Sequence, residues 1–417
     1  MTTSSHPDLR IDAARLSRRL DDLARIGPID GGGVCRLALT DEDRAGRDLV
    51  VTWMCDLGLD VTVDAIGNVV GRRAGVVDGP SVMCGSHIDT VRTGGRYDGN
   101  LGVLAGLEVI ETVAAAGVTT HHPLAVAFFT NEEGSRFPPD MMGSLVFVGG
   151  LPVEAALATV GIDGVAVGAA LDEIGYRGAA PCPAPPPRAF VELHIEQGPV
   201  LEADGHTIGI VTGVQGISWS EVTIEGQSNH AGTTPMDLRH DAGYVAAEIA
   251  TFVRRLAADL GPPMVGTVGA IDLHPNLVNV VAARATVTVD LRHTDDAVLE
   301  KAEATLAQRL DEVAAAEGVV INTRSLARFE PVEFDPATVD LVADTAARLG
   351  LSTRRLPSGA GHDAQMLARV CPTAMVFTPS RGGISHNPAE HTDVADLEAG
   401  ANVLLQTLLA LAAEEPS

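Results

Sequence analysis

The sequence predicts an α/β fold: a larger domain on a mixed, mostly parallel sheet, interrupted by a smaller ferredoxin-like α+β domain. Three observations carry this expectation. The chain has 417 residues, more than one hydrophobic core usually serves, so two domains are expected. Short apolar runs bounded by glycine, proline or charge alternate with stretches of helical spacing, as in a sheet covered on both faces. Around residue 213 the order becomes β-α-β-β-α-β, and near residue 330 the first pattern resumes. The expected division is residues 1–212 with 330–417, and 213–329 between them.

Residues 11–27 and 41–58 place apolar side chains at helical spacing among charges. "DVTVDAIGNVVGRRAG" alternates as two strands joined by a Gly-Asn turn. "SVMCGSH" is an apolar run ending at a polar residue, and the helix-length "NLGVLAGLEVIETVAAAG" stops at Gly117. "PLAVAFFTNEE" is a further run, bounded by proline and charge. Between about 150 and 190 alanine and glycine dominate, and the stretch closes on "APCPAPPPR", too dense in proline for regular structure. "AFVELHI" follows as a strand. The inserted segment runs "ISWSEVTIEG", a helix near 240–259, "MVGTVGAIDL", "ARATVTVDLRH", a helix near 295–316 and "VVINTRSLARF". "CPTAMVFTPS" and a C-terminal helix complete the larger domain.

Charge and cysteine usage exclude several functions. With 55 acidic and 29 basic residues the formal net charge is −26, which repels phosphate backbones and anionic lipid headgroups, so neither nucleic acid nor membrane is expected as a partner. Five cysteines, Cys35, Cys55, Cys84, Cys182 and Cys371, without CxxC spacing argue against a disulfide framework and a thiolate zinc site, and for a reducing compartment. The N-terminal "MTTSSHPDLRIDAARLSRRL" has no apolar leader region, and no run of about 18 apolar residues is found. A soluble cytoplasmic protein is expected.

Chemistry concentrates in five places. "GSHIDTV" puts His87 and Asp89 two apart, on one side of a strand, where a carboxylate can orient an imidazole. "GGRYDGNLGV" sets Asp98 just before a helix, a position that equally suits a helix cap. "FFTNEEGSRF" places Glu132 and Glu133 side by side at the exit of a buried strand. "ELHIEQGP" carries His194, and "GGISHNPAEHT" carries His386. Ligands of α/β sheets gather at the carboxyl ends of strands, where four of these five stretches fall. His, Asp, Glu, His and His form a nitrogen and oxygen set without thiolate, suited to Zn, Mn, Co or Ni. Five ligands exceed the need of one tetrahedral ion, whereas a bridging carboxylate between two ions uses them all.

The ordered series GSHIDTV, GGRYDG, TNEEG, ELHIEQGP, SNHAGTTPM, NVV…DLRH, SGAGHDA and SHNPAEHT, from about residue 80 to 393, resembles the M20 metallopeptidase-type amidohydrolases. More narrowly, it is similar to the branch containing N-carbamoyl-L-amino acid hydrolases, β-ureidopropionases and allantoate amidohydrolases. The resemblance implies a catalytic domain holding two divalent metal ions on His87, Asp98, Glu133, His194 and His386, with Asp98 bridging. It implies Glu132 as general base, Asp89 in support of His87, and His230 stabilising the oxyanion of the partner subunit's site in a homodimer. Asn279 and Arg292 match the residues that hold a substrate carboxylate, Gln197 a substrate-amide contact, and Gly361 a close backbone approach to the ligand; His362 is a weaker candidate. An arginine fork suits a planar carboxylate. The inserted domain becomes a lid and dimerisation domain, closing on the site. Glu132 and Glu133, leaving an extended backbone in opposite directions, would divide base and ligand between them.

The implied reaction is hydrolysis of the ureido C–N bond of an N-carbamoyl-L-amino acid, giving amino acid, carbon dioxide and ammonia. Allantoate and N-carbamoyl-β-alanine are the alternative substrates. A noncatalytic metal-binding protein on this fold would have lost the base or a ligand, and every such residue is present.

Overall fold

The structure, a computed structural model, describes residues 6–413; the first residues of the N-terminal stretch read above lie outside it. In chain order the first strands are β1 (Asp60–Val63), β2 (Val69–Arg73), β3 (Val82–His87), β4 (Leu124–Phe129), β5 (Ala189–Ile195) and β6 (Ile208–Val214). Next come β7 (Gly216–Glu225), β8 (Val265–His274), β9 (Arg284–His293) and β10 (Val320–Phe329). β11 (Val332–Glu333), β12 (Thr353–Ser358) and β13 (Thr373–Thr378) close the series. The chain divides into two compact units, one up to Thr212 and again from Glu333, the other Gly213–Val332.

The first unit is built on a nine-stranded mixed sheet in the order β1-β2-β4-β3-β5-β13-β6-β11, with β12 beside β6. Its centre is parallel: β4, β3, β5 and β13 run in one direction. Antiparallel pairing sets in with β2 on one side and β6 on the other. Every residue of β3, β4, β5 and β13 is buried, the physical reason these strands read as unbroken apolar runs. The helices Asn100–Ala115 and Val394–Leu411 pack on each other and on the central strands. Val394–Leu411 is long and apolar enough to cross a membrane, yet 72% of it is buried inside the protein, so its apolarity is that of a core helix. The alanine-rich stretch after residue 150, where no element was expected, forms two short helices, Val153–Ala158 and Val167–Ile174, whose apolar faces join one small core.

The second unit follows the order β7, helix Ala242–Leu260, β8, β9, helix Asp296–Glu317, β10. Its four strands form an antiparallel sheet, β10-β7-β9-β8, the ferredoxin-like arrangement. β9 alternates strictly: Ala285, Val287, Val289 and Leu291 are buried against Val245, Ile249 and Val253 of one helix and Leu299 and Leu306 of the other. The period of two is the signature of a sheet covered on one face.

One close approach fixes the helix that follows Asp98. A Cβ added at Gly102 would lie 2.6 Å from the Leu193 carbonyl oxygen of β5, so the helix rests directly on the strand backbone. Gly102→Ala is expected to force the two apart and cost about 1–3 kcal/mol, read as a lowered melting temperature by calorimetry. Gly79→Ala, where a Cβ meets nothing within 4 Å, serves as the unchanged control.

Candidate metal centre

Two parallel strands deliver the first candidate ligands. His87 ends β3, and the last two residues of β5 are His194 and Ile195. Their rings are held alike: His87 Nδ1 lies 2.9 Å from the Asp89 main-chain oxygen, and His194 Nδ1 lies 2.8 Å from that of Ile195. A carbonyl oxygen only accepts, so Nδ1 carries the proton in each neutral ring and Nε2 presents a lone pair. The Gly99 N–H donates to His194 Nε2 at 3.2 Å. His87 Nε2 is buried with no hydrogen-bond partner. Both Nε2 atoms face Asp98 Oδ1, His194 at 3.1 Å and His87 at 3.6 Å.

Asp98 does not cap the helix that follows it. Gly99 occupies the cap position at φ +65°, without a side-chain cap bond, and the carboxylate turns into the site. No larger residue fits at Gly99, since a Cβ would stand 2.4 Å from the His87 ring. The other oxygen, Oδ2, lies 3.3 Å from His386 Nε2, which is itself 3.3 Å from Glu133 Oε2. His87, Asp98 and His194 thus bring one donor atom each within 4.8 Å of one another, and so do Asp98, Glu133 and His386. Asp98 belongs to both groups.

The electrostatics of this cluster ask for a cation. Burial raises the Glu133 carboxyl to about 8, with Asp98 beside it. Burial likewise holds Glu132 well above the usual range, with Asp363, Glu133 and Asp98 adding to it. For Asp98 burial is overcome by the imidazoles of His194, His386 and His87 that face it, and its pKa falls well below normal. A hydrogen bond to Asp98 pushes His386 up to about 9. The orphaned lone pair of His87 and three crowded carboxylates fit a divalent cation, and a donor set without sulfur suits Zn, Mn, Co or Ni.

Glu132 Oε2 stands 3.3 Å from His87 Nε2, beside the first ligand group. The two glutamates do not sit on an extended strand, as the sequence suggested. β4 ends at Phe129, and the backbone bends through Asn131 at φ +59°. Their divergence is set by Asp89, whose Oδ1 accepts from the Glu132 N–H at 3.2 Å and Oδ2 from the Glu133 N–H at 3.3 Å. The support expected for His87 therefore comes from the Asp89 main chain, while its carboxylate positions the glutamate pair.

Gln197, at φ +59°, donates through Nε2 to Asp98 Oδ2 at 2.8 Å. His362 is buried, with Nε2 2.8 Å from Ser358 Oγ and its ring edge-to-face against His194 at 4.5 Å. Burial drives its pKa well below normal, with the His194 charge adding to it. It packs behind His194, whose own Nδ1 is occupied. Gly361 precedes it, packed against Met141. In the second unit His230 and Asn279 are exposed neighbours: His230 bridges to Val280, and the Ala231 N–H donates to the Asn279 carbonyl at 2.9 Å. Arg292 lies on β9, its Nε and Nη2 on Asp290 at 3.0 and 2.8 Å.

Two residues escaped the sequence reading. Glu390 accepts the N–H groups of Tyr97 and Asp98 at 3.0 and 3.1 Å through Oε1, and the Ser385 hydroxyl at 3.1 Å through Oε2. It ties the Asp98 loop to the His386 loop. Glu192 accepts from Ser86 at 2.6 Å and from the Ala364 N–H at 2.8 Å. The only signal for either was membership of a histidine motif, "SHNPAEHT" and "ELHIEQGP", where a glutamate ordinarily reads as solvated. Glu390→Ala removes three acceptor contacts and is expected to weaken metal affinity about 10–100-fold, measured by competition with a chromophoric chelator.

The chain is similar to known proteins over most of its length. Residues 83–410 match the model of peptidase family M20/M25/M40. The N-carbamoyl-L-amino-acid amidohydrolase of Rhizobium meliloti is 42% identical over 401 residues, 96% of each chain. The allantoate amidohydrolase of Bacillus subtilis (strain 168) is 37% identical, over 94% of this chain and 95% of the other. The crystal structure of an amidase of the hydantoinase/carbamoylase family from Burkholderia multivorans superposes with a TM-score of 0.95 at 48% identity, covering 97% of this chain and 99% of that one. Members of the family are metal-dependent, and these relatives are hydrolases of C–N bonds. The chain belongs to the M20/M25/M40 peptidase family, among its amidohydrolases.

Proposed function

We propose that the protein hydrolyses the ureido C–N bond of an N-carbamoyl-L-amino acid at a centre of two divalent ions. The observation that carries this reading is the sharing of Asp98 by both ligand groups with the Glu132 carboxylate alongside. The names of several relatives support the substrate class.

His87, Asp98 and His194 would hold one ion, and Asp98, Glu133 and His386 the other. When bound, the ions polarise the ureido carbonyl and make water a stronger acid. Glu132 takes a proton from the attacking water as oxygen adds to the carbonyl carbon, and returns it to the amino-acid nitrogen as the C–N bond breaks. Amino acid and carbamate result, and carbamate decomposes to carbon dioxide and ammonia. In His230, Nδ1 accepts the Gly232 N–H at 3.1 Å; the neutral ring therefore carries its proton on Nε2, a donor suited to an oxyanion. Arg292 and Asn279 hold the substrate carboxylate, and Gly361 lets the backbone approach the ligand.

We further propose a cytoplasmic homodimer in which His230 serves the partner's site. Exposed Leu277 and Val278 beside Asn279 support such an interface. Allantoate remains the second reading, favoured by the relative from Bacillus subtilis. The test is a side-by-side assay of the metal-loaded protein on N-carbamoyl-L-amino acids, N-carbamoyl-β-alanine and allantoate, with Glu132→Gln beside it. Turnover is expected on the first class, and a loss of about 10²–10⁴-fold in Glu132→Gln at unchanged metal content. Preference for allantoate would overturn the substrate, and an active Glu132→Gln the base.

A further inference from the structure

Arg292 stands on an open sheet face, yet it is held on two sides. The core residues of β9 are Ala285, Val287, Val289 and Leu291, so Asp290 and Arg292 share the opposite face, turned away from the helices. Asp290 Oδ1 and Oδ2 both accept from Arg292 Nε, at 3.0 and 3.1 Å, and Oδ2 also accepts from Nη2 at 2.8 Å. Trp219 on β7 lies directly across from Asp290 with its side chain on the same face, and Arg292 Cζ stands 5.7 Å from the centre of its ring. Arg324 and Glu221 form an ordinary ion pair of this face, and there the arginine side chain is 68% exposed, against 22% for Arg292. An ion pair on a partly exposed face adds little to stability, so the hold on Arg292 is better accounted for by what the guanidinium does than by folding.

We propose that Asp290 is a positioning residue, which fixes the guanidinium of Arg292 against Trp219 so that a substrate carboxylate meets an ordered fork. The inference rests on the reading of Arg292 as the carboxylate holder and adds the residue through which that arginine is made ready. An unrestrained arginine samples many rotamers, and stilling it on binding subtracts from affinity. Asp290 and the indole ring restrict it before the substrate arrives. A guanidinium can grip a carboxylate by its Nε edge or by the edge formed by its two Nη groups. Asp290 takes the first, so the substrate carboxylate falls to the second and is read in one orientation. The two roles open to a carboxylate beside this arginine differ in sign. A competitor for the guanidinium would weaken substrate binding, and its removal would lower KM. A positioning residue strengthens substrate binding, and its removal raises KM.

The test measures kcat and KM of the full chain loaded with Zn²⁺ or Mn²⁺ on N-carbamoyl-L-alanine, N-carbamoyl-L-methionine and allantoate, each a carboxylate. The unmodified chain is compared with Asp290→Ala, Arg292→Met and the double variant. Asp290→Ala is expected to raise KM about tenfold, with the change falling on KM rather than kcat and the melting temperature unchanged. In the Arg292→Met background Asp290→Ala is expected to add nothing, because its effect passes through the guanidinium. Asp290→Asn, which keeps the shape and removes the charge, serves the same comparison should the alanine variant fold poorly. An unchanged or lowered KM, or an equal rise in the Arg292→Met background, overturns the inference alone. Arg292→Met without effect on KM, or no turnover of any of these substrates by the unmodified chain, overturns the reading of the site on which it rests.

Discussion

Everything around the site depends on one carboxylate that is buried and shared. Asp98 is 3% exposed, and two histidines point lone pairs at one of its oxygens while a third histidine and a glutamate gather at the other. Lone pairs facing a carboxylate repel it unless a proton or an ion lies between them. Removing such charges from water costs several kcal/mol per group, and a protein that only had to fold would have filled this space with apolar side chains. Convergence of these groups on one point is intelligible as a place made for positive charge.

The scaffold's task is to hold that arrangement against its own repulsion, and it does so through backbone. Strand ends supply His87 and His194, with carbonyl oxygens fixing both rings. Asp89 grips the two peptide N–H groups that carry the glutamate pair, and Glu390 grips the two that carry Asp98. Each clamp is a carboxylate accepting main-chain donors, the strong kind of hydrogen bond. Arg36, fully buried, adds to this by donating to the Ile88 carbonyl and to Asn100, next to the two ligand loops.

Much of this was legible in the sequence, and the part that was not has a common cause. Apolar runs announced β3, β4, β5 and β13 because central strands of a parallel sheet are covered on both faces. The alternation of β9 announced a sheet with one open face. His87, Asp98, Glu133, His194 and His386 stood out because histidines and carboxylates gathered at or beyond strand ends are costly without a purpose. Hidden from the sequence were the bonds that run to backbone. Asp89 looked like a partner for the His87 ring, yet only the path of the chain through Asn131 brings two N–H groups to its carboxylate. Glu390 went unread, because nothing in "NPAEHT" tells that Tyr97 and Asp98 lie against it. The direction of the Gln197 amide depends on an acceptor ninety-nine residues away in sequence.

The central claim is that Asp98 joins two cation sites into one centre. Its most direct measurement is the stoichiometry of Co²⁺ or Zn²⁺ binding by equilibrium titration, in the unmodified protein and in the Asp98→Asn and His386→Ala variants. The account predicts two ions per chain, weakening of both in Asp98→Asn, and loss of one with the other retained in His386→Ala. A single ion in the unmodified protein, or an Asp98→Asn variant that keeps one site at full affinity, would contradict it.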